Sequence, residues 1–322
     1  MTDPCAVVMV VKDEPRERLQ RALGALAAQC GVGPFTVYVA APEAEHAALR
    51  TLAAHGTVRE IVPVANPGGS RCAGLNAALR AADADVVVRV DARSRVRRDH
   101  VARSVARLRD DQEVGVVGGV QWPSARSDAV AERATVRALR NRWLLGNAGY
   151  RRPGAAGPVD TVYLGAFRRT ELLDLGGYDE RLDANEDFEL CARYLTAGRT
   201  VWLEEDLLVD YEPRVGTGAL FTQYREFGES KVTYWRTTRS RPRGRQLLAL
   251  GLGGAGALAL LVSLRRPRRT AALVAGGIVA VAVVDHVADP HELDVRVRAR
   301  ACAASVATTG GWLWGVVRGR FR

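Results

Sequence analysis

Three acidic residues, Glu186, Asp187 and Glu189, stand among apolar neighbours in the stretch Leu182-Asp183-Ala184-Asn185-Glu186-Asp187-Phe188-Glu189-Leu190. A helix starting near Glu186 puts Leu190 and Tyr194 on one face and leaves Asp187 near its N-terminal end. Carboxylates in that place have two readings. They favour a helix N-terminus electrostatically, or one of them is a general base that takes a proton from a hydroxyl. Upstream stand three further polar groups: Lys12-Asp13-Glu14, the turn Asn66-Pro67-Gly68-Gly69-Ser70 followed by Arg71, and Asp91-Ala92-Arg93.

These groups need a scaffold that gathers them. Residues 5–11 form a continuous Val-rich apolar run, the pattern of a strand buried on both faces. Leu19, Leu23 and Leu26 then share one face of a helix. Strands over 35–39, 60–64 and 85–90 alternate with helices over 43–55 and 71–82. That alternation means βαβ units with right-handed crossovers, hence an α/β protein with a parallel sheet. Ligands of such sheets bind at the carboxyl ends of the strands, where 12–14, 66–70 and 91–93 all fall. Strand ends are polar in any case where they meet solvent, so the convergence counts for more than any single group. Later strands are expected over 114–120, 159–164 and 200–203, with a polar, Arg-rich excursion over 123–157 and a short helix ending at Leu175. An amphipathic helix is expected to carry Gln223, Arg225 and Lys231 and to run to Arg236.

The chain has 322 residues, 48% hydrophobic and 25% charged, enough for one large α/β domain and an appendage and unlike a disordered chain. The net charge of +10 comes mostly from scattered arginines, several of them flanking apolar C-terminal segments. That pattern suits an anionic membrane surface. There is no aromatic-interleaved basic patch and no zinc-type spacing, so nucleic acid is not an expected partner. The five cysteines, Cys5, Cys30, Cys72, Cys191 and Cys302, are scattered and odd in number, as for reduced thiols in a cytoplasmic domain. The N-terminus passes straight into a strand-like run, without a signal-peptide pattern.

Beyond a basic run at 236–245, three apolar segments follow at about 246–264, 270–288 and 301–317. The first two match a bilayer core of ~30 Å. In the third, Trp312 and Trp314 are candidate interfacial anchors. Arginines 265, 266, 268 and 269 lie between the first two segments and another basic run precedes them, so a spanning hairpin cannot keep both on one side. Spanning helices and a shallow re-entrant hairpin both remain open. Asp285 and His286 fall near the end of the second segment, a place expected at the headgroup boundary.

The order of motifs resembles family 2 glycosyltransferases of the GT-A fold, and within them the membrane-associated bacterial subgroup similar to succinoglycan-type polysaccharide biosynthesis enzymes. Four matches carry the resemblance: Val11-Lys12-Asp13-Glu14; residues 66–78 leading into Val87-Val88-Arg89-Val90-Asp91-Ala92-Arg93; Gly176-Gly177-Tyr178-Asp179-Glu180 followed by Asn185 to Leu190; and Tyr211-Glu212-Pro213-Arg214 followed by Gln223-Tyr224-Arg225. They cover about 5–236. The resemblance implies a GT-A, Rossmann-like, mixed and mainly parallel sheet flanked by helices over 1–236, with C-terminal membrane-associated helices over 237–322. It implies inverting transfer from a nucleotide-diphosphate sugar, a UDP-sugar in the first instance, to a glycan or polyprenyl-linked acceptor in cell-surface polysaccharide synthesis. The catalytic domain would face the cytoplasm at the cell membrane.

Residue by residue, Asp187 matches the family's catalytic base and Glu186 an acceptor-facing neighbour, whose like charge can raise the pKa of a base. Asp91 matches the first acid of the Asp-x-Asp motif, on ribose or a divalent cation (Mg²⁺ or Mn²⁺). Asp13 and Glu14 match the base and ribose end of the donor pocket, Arg71 a basic position near the nucleotide, and Lys12 and Asn76 fall in the same matched segments. Gln223 and Arg225 are loosely similar to a Gln-x-x-Arg-Trp segment, and Arg225 or Lys231 could meet the diphosphate. Two departures stand out. Arg93 replaces the metal-ligating second acid, and a guanidinium cannot ligate a cation. Either Asp91 holds the metal with water and phosphate, or Arg93 neutralises diphosphate itself, or donor binding is impaired. Residues 37–42 also lack the acid that commonly follows the family's second strand. The alternative to an active enzyme is a non-catalytic sugar-nucleotide or glycan-binding membrane protein of the same fold.

Overall fold

A computed structural model describes residues 3–52, 54–141, 149–182, 184–242 and 244–321. Asp183, part of the 123–157 excursion and one residue of the 236–245 run lie outside these. The chain divides into two compact units, residues 1–122 with 148–212, and residues 123–147 with 213–322.

The first unit is built in chain order from β1 (Asp3–Val10), α1 (Arg16–Ala27), β2 (Phe35–Ala41), α2 (Glu43–Arg50), β3 (Val58–Ala65), α3 (Arg71–Ala81), β4 (Ala84–Arg89), β5 (Ser94–Arg95), α4 (His100–Asp110) and β6 (Val114–Pro123). After α5 (Val130–Arg140), which belongs to the second unit, come β7 (Gly157–Pro158), β8 (Tyr163–Arg168), α6 (Arg169–Asp174), α7 (Glu186–Thr196) and β9 (Thr200–Tyr211). One sheet runs β3-β2-β1-β4-β8-β6-β9-β5, with β7 on β9. The first four strands pair in parallel; β8 is antiparallel to both β4 and β6, and β9 to β5 and β7. The sheet is mixed, mainly parallel on its N-terminal side, as expected.

Strand periodicity splits β1 between two cores. Cys5, Val7 and Met9 pack with Leu19, Leu23 and Leu26 of α1 on one face, while Ala6 and Val8 pack with Leu75 and Leu79 of α3 and Leu190 of α7 on the other. Each fully buried Leu contributes about 2 kcal/mol. Gly119 of β6 allows a close approach: a Cβ there would lie 2.0 Å from the Leu207 carbonyl oxygen.

Two expected elements shift. Helix α2 stops at Arg50 rather than 55. The strand expected over 159–164 is instead β8 over Tyr163–Arg168, whose residues through Phe167 are buried between β4 and β6. The preceding residues are drawn to the other edge of the sheet, where Val159 N–H donates to Val201 O at 2.9 Å beside the β7–β9 pairing.

The second unit holds α5, α8 (Thr217–Thr237), α9 (Gly244–Ser263), α10 (Pro267–Ala288) and α11 (Val295–Arg320). Gln246–Ser263 and Pro267–Ala288 are long and apolar enough to cross a membrane, and only 6% of each is buried. The third apolar segment behaves differently. Helix α11 buries Ala301, Ala304, Gly311, Gly315 and Gly319. A Cβ at Gly315 would lie 2.1 Å from the Arg225 carbonyl oxygen, and one at Gly311 2.5 Å from that of Phe221. The Gly-x-x-x-Gly-x-x-x-Gly spacing therefore brings α11 against α8 backbone to backbone, and partners that advance together along both helices make the pair parallel. Of the two tryptophans, Trp314 is exposed and Trp312 packs on the core formed by α5, α8 and α11. Asp285, near the end of the second apolar segment, is 1% exposed and paired with Arg137 of α5 at 2.8 and 2.9 Å.

Candidate active site

At the carboxyl end of β4 the run Val86-Val87-Val88-Arg89-Val90-Asp91 puts one arginine into an apolar strand. Arg89 is 1% exposed, and its guanidinium gathers three carboxylates. Nε donates to Asp91 Oδ1 at 3.0 Å and Nη2 to Asp91 Oδ2 at 3.2 Å; Nη1 donates to Asp187 Oδ1 at 2.5 Å and Nη2 to Glu186 Oε1 at 3.0 Å. Arg71, at the start of α3, adds a contact from Nη1 to Glu186 Oε1 at 3.3 Å. The Tyr178 ring lies 5.9 Å from the Arg89 guanidinium carbon. Asp91, Glu186 and Asp187, expected from sequence to share a site, are thus joined. Arg89, which joins them, was not singled out. The signal was present as a charged residue inside an otherwise buried strand, where an arginine must find carboxylates.

Helix α7 begins at Glu186, with Asn185 before it in a left-handed conformation (φ 63°). The helix-end and base readings of its acids divide among the residues. Glu189 pairs with Arg193 at 2.8 Å through both oxygens, and Arg193 also donates to the carbonyls of Leu175 and Gly177 at 2.6 Å. Glu189 therefore fastens the helix to the Gly176-Gly177 turn. Glu186 and Asp187 face the Arg89 cluster.

The cluster holds three carboxylates and two guanidinium groups, one negative charge in excess, and the three acids divide accordingly. Burial would raise Glu186, but Arg71 and Arg89 outweigh it and hold the group below the usual carboxylate range. Burial acts on Asp91 in the same way, and Arg89 and Arg71 again win. Asp187 goes the other way, to about 7. Burial is the largest cause, Arg89 opposes it, and the like charges of Glu186 and Asp91 add to the rise. The Asp187 and Asp91 side chains are each 25% exposed against 3% for Glu186, so the acid with the raised pKa is open to a ligand.

A second network lies at the end of β1. Glu14 accepts from Arg93 Nε at 3.0 Å and from Arg18, which also donates to Glu212 at 2.8 and 3.1 Å. Asp13 is exposed, with φ 52°, and its N–H donates to Glu45 Oε1 at 3.1 Å. The Lys12 side chain lies over the glycine loop, so that a Cβ at Gly69 would be 2.9 Å from Nζ. Asn76 is buried and engaged elsewhere. Its Nδ2 donates to Tyr178 O at 2.8 Å and Glu180 Oε1 at 2.9 Å, and its Oδ1 accepts from Tyr178 N–H at 2.8 Å. It clamps the Gly176–Tyr178 turn. Gln223, Arg225 and Lys231 all belong to α8 in the second unit; Arg225 lies 3.6 Å from Glu229, and the Lys231 ammonium is 5.0 Å from the Tyr234 ring centre.

A divalent cation would find few ligands here. Asp91 already accepts from Arg89 at both oxygens, and Arg93 stands two residues on. No group of three or more His, Cys, Asp or Glu among the described residues could hold a metal ion. The donor set does not fit a metal centre.

A family described as glycosyltransferase like family 2 matches residues 4–238. The chain is 30% identical over 204 residues to the succinoglycan biosynthesis protein ExoA of Rhizobium meliloti (strain 1021), a match over 62% of this chain and 60% of that protein's length. Among solved structures, the mannosyltransferase PcManGT of Pyrobaculum calidifontis, in complex with GDP-Man and Mn²⁺, aligns with a TM-score of 0.63 at 19% identity, covering 96% of this chain and 89% of that one. TarS 1-349 of S. aureus aligns with a TM-score of 0.50 at 13% identity, covering 98% and 91%. At these identities the two structures speak to the fold alone.

Proposed function

The chain belongs to the glycosyltransferase-like family 2, and from that premise we propose that it moves a sugar from a nucleotide-diphosphate donor to a glycan or lipid-linked acceptor, with inversion at the anomeric carbon. The acceptor oxygen bonds to that carbon as the bond to the diphosphate oxygen breaks. The diphosphate leaves with the bonding electron pair, and Asp187 takes the hydroxyl proton. The observation that carries this reading is the unequal division of the Arg89 cluster: Asp187 alone among the three acids is pushed up, to about 7, while a quarter of its side chain stays open. A base poised there is about half deprotonated at neutral pH and still basic enough to accept a proton. Glu186, held ionised by two arginines, orients Arg89 and the acceptor side. A UDP-sugar is the first donor to test, and succinoglycan biosynthesis in the relative's name points to an extracellular polysaccharide.

In this reading residues 1–236 carry the transfer chemistry, and residues 237–322 associate with the cell membrane through α9 and α10. The five free cysteines suit a catalytic part in the reducing cytoplasm. The second reading, a non-catalytic binding protein, draws on Arg93 in place of an acid. Transfer assays over UDP-, GDP- and dTDP-sugars separate the two. Asp187→Asn should lower transfer by about 10²–10⁴-fold with donor binding retained; full transfer by that variant rejects the base assignment.

A further inference from the structure

Beyond β4, Arg93 stands where the resemblance leads one to expect a second acid after Asp91. Arg93 uses only Nε, on Glu14 at 3.0 Å; among the described residues neither of its Nη groups has a partner. Its side chain is 28% exposed. Glu14 is itself fixed by Arg18, and Arg18 by Glu212, so a chain of ion pairs orients Arg93 while leaving its outer fork unused. Lys12, just past the end of β1, lies over the glycine loop at Gly69.

We propose that this chain binds the diphosphate of its donor without a divalent cation, the two Nη groups of Arg93 taking the place of the metal. The proposal rests on the transferase reading above. A planar guanidinium matches two phosphate oxygens and supplies the positive charge the leaving diphosphate needs. A cation at Asp91 would instead sit beside the Arg89 guanidinium, which already donates to both carboxylate oxygens, and feel its repulsion. Glu14 keeps Arg18 while Arg93 engages phosphate, so binding strands no carboxylate.

Calorimetric titration of the full chain in detergent tests this with UDP, GDP, dTDP and the matching nucleosides, in EDTA and in Mn²⁺. One diphosphate should bind in EDTA, with an affinity that Mn²⁺ changes by less than about threefold. Arg93→Ala should weaken that diphosphate by about tenfold or more, the value of a lost charge-assisted hydrogen bond, and leave its nucleoside unchanged, which shows the pocket intact. Arg93→Lys should recover part of the loss, and Arg93→Asp should make binding depend on Mn²⁺. A tenfold gain from Mn²⁺ in the wild type, or wild-type diphosphate affinity in Arg93→Ala, overturns the proposal and leaves the transferase reading standing. If no nucleoside diphosphate binds under either condition, both fall.

Discussion

Replacing Arg89 with Met removes the one cation that touches all three site carboxylates. The side chain is 1% exposed and makes four contacts of 2.5–3.2 Å. After substitution only Arg71 remains, 3.3 Å from Glu186 and itself half-exposed. Breaking a buried ion pair by deleting one partner costs about 3–5 kcal/mol. At roughly 2–4 °C per kcal/mol, that lowers the melting temperature of a unit of this size by about 6–20 °C near pH 8. The loss depends on pH with a definite sign. In the variant the carboxylates have lost their cation, so their folded pKa values lie above the unfolded ones. Such groups bind protons on folding, and the variant regains stability as pH falls. In the wild type, Glu186 and Asp91 are held low, so the stability they add is present at neutral pH and is lost as pH falls through their folded values. The gap between the two proteins should therefore close to less than half near pH 5. Thermal melts in detergent, followed by tryptophan emission at the two pH values, measure it. A gap of equal size at both would mean that Arg89 acts through packing and not through charge.

On the acid side, kcat/KM for transfer should rise through about pH 7 as Asp187 loses its proton. Glu186→Gln removes a like charge and should move that limb roughly one unit to lower pH; an unmoved limb means another group titrates. Asn76→Ala orphans the N–H and carbonyl of buried Tyr178 and should cost about 2–4 kcal/mol, read as a lower melting temperature, with a wild-type melt refuting the clamp. Gly315→Val places side-chain atoms where a Cβ alone would be 2.1 Å from a carbonyl oxygen, so α8 and α11 must part. Faster proteolysis within α11 is the expected result, and wild-type resistance would deny the close approach.

Much of the first unit is legible in the sequence. The Val-rich runs of β1 and β4, the leucine face of α1 and the helix start at Glu186 are local patterns, and local patterns fix element type. Asp187, Glu186 and Asp91 could be named because their motifs stand in the order of the family 2 glycosyltransferases that the chain resembles. The positions of β8 and α11 were not legible for one shared reason. Apolar composition tells that a segment is buried and not which neighbour buries it, so residues 159–164 read as a strand and 301–317 as a weak membrane run. Only packing showed that β8 needed a slot between β4 and β6, and that three glycines four residues apart serve a helix contact.

The sequence alone determined the types of group at the site and the class of chemistry they suit, because residue identity sets charge and proton affinity. How the three acids differ in burial and charge environment, and which carboxylate Arg93 contacts, only the tertiary structure decided. A pKa depends on burial and on the charges within a few ångströms, and those distances join residues 71, 89, 91, 186 and 187, which lie far apart along the chain. Arg89 is the clearest case. In the sequence it interrupts an apolar strand; in the fold it is the charge that touches all three carboxylates.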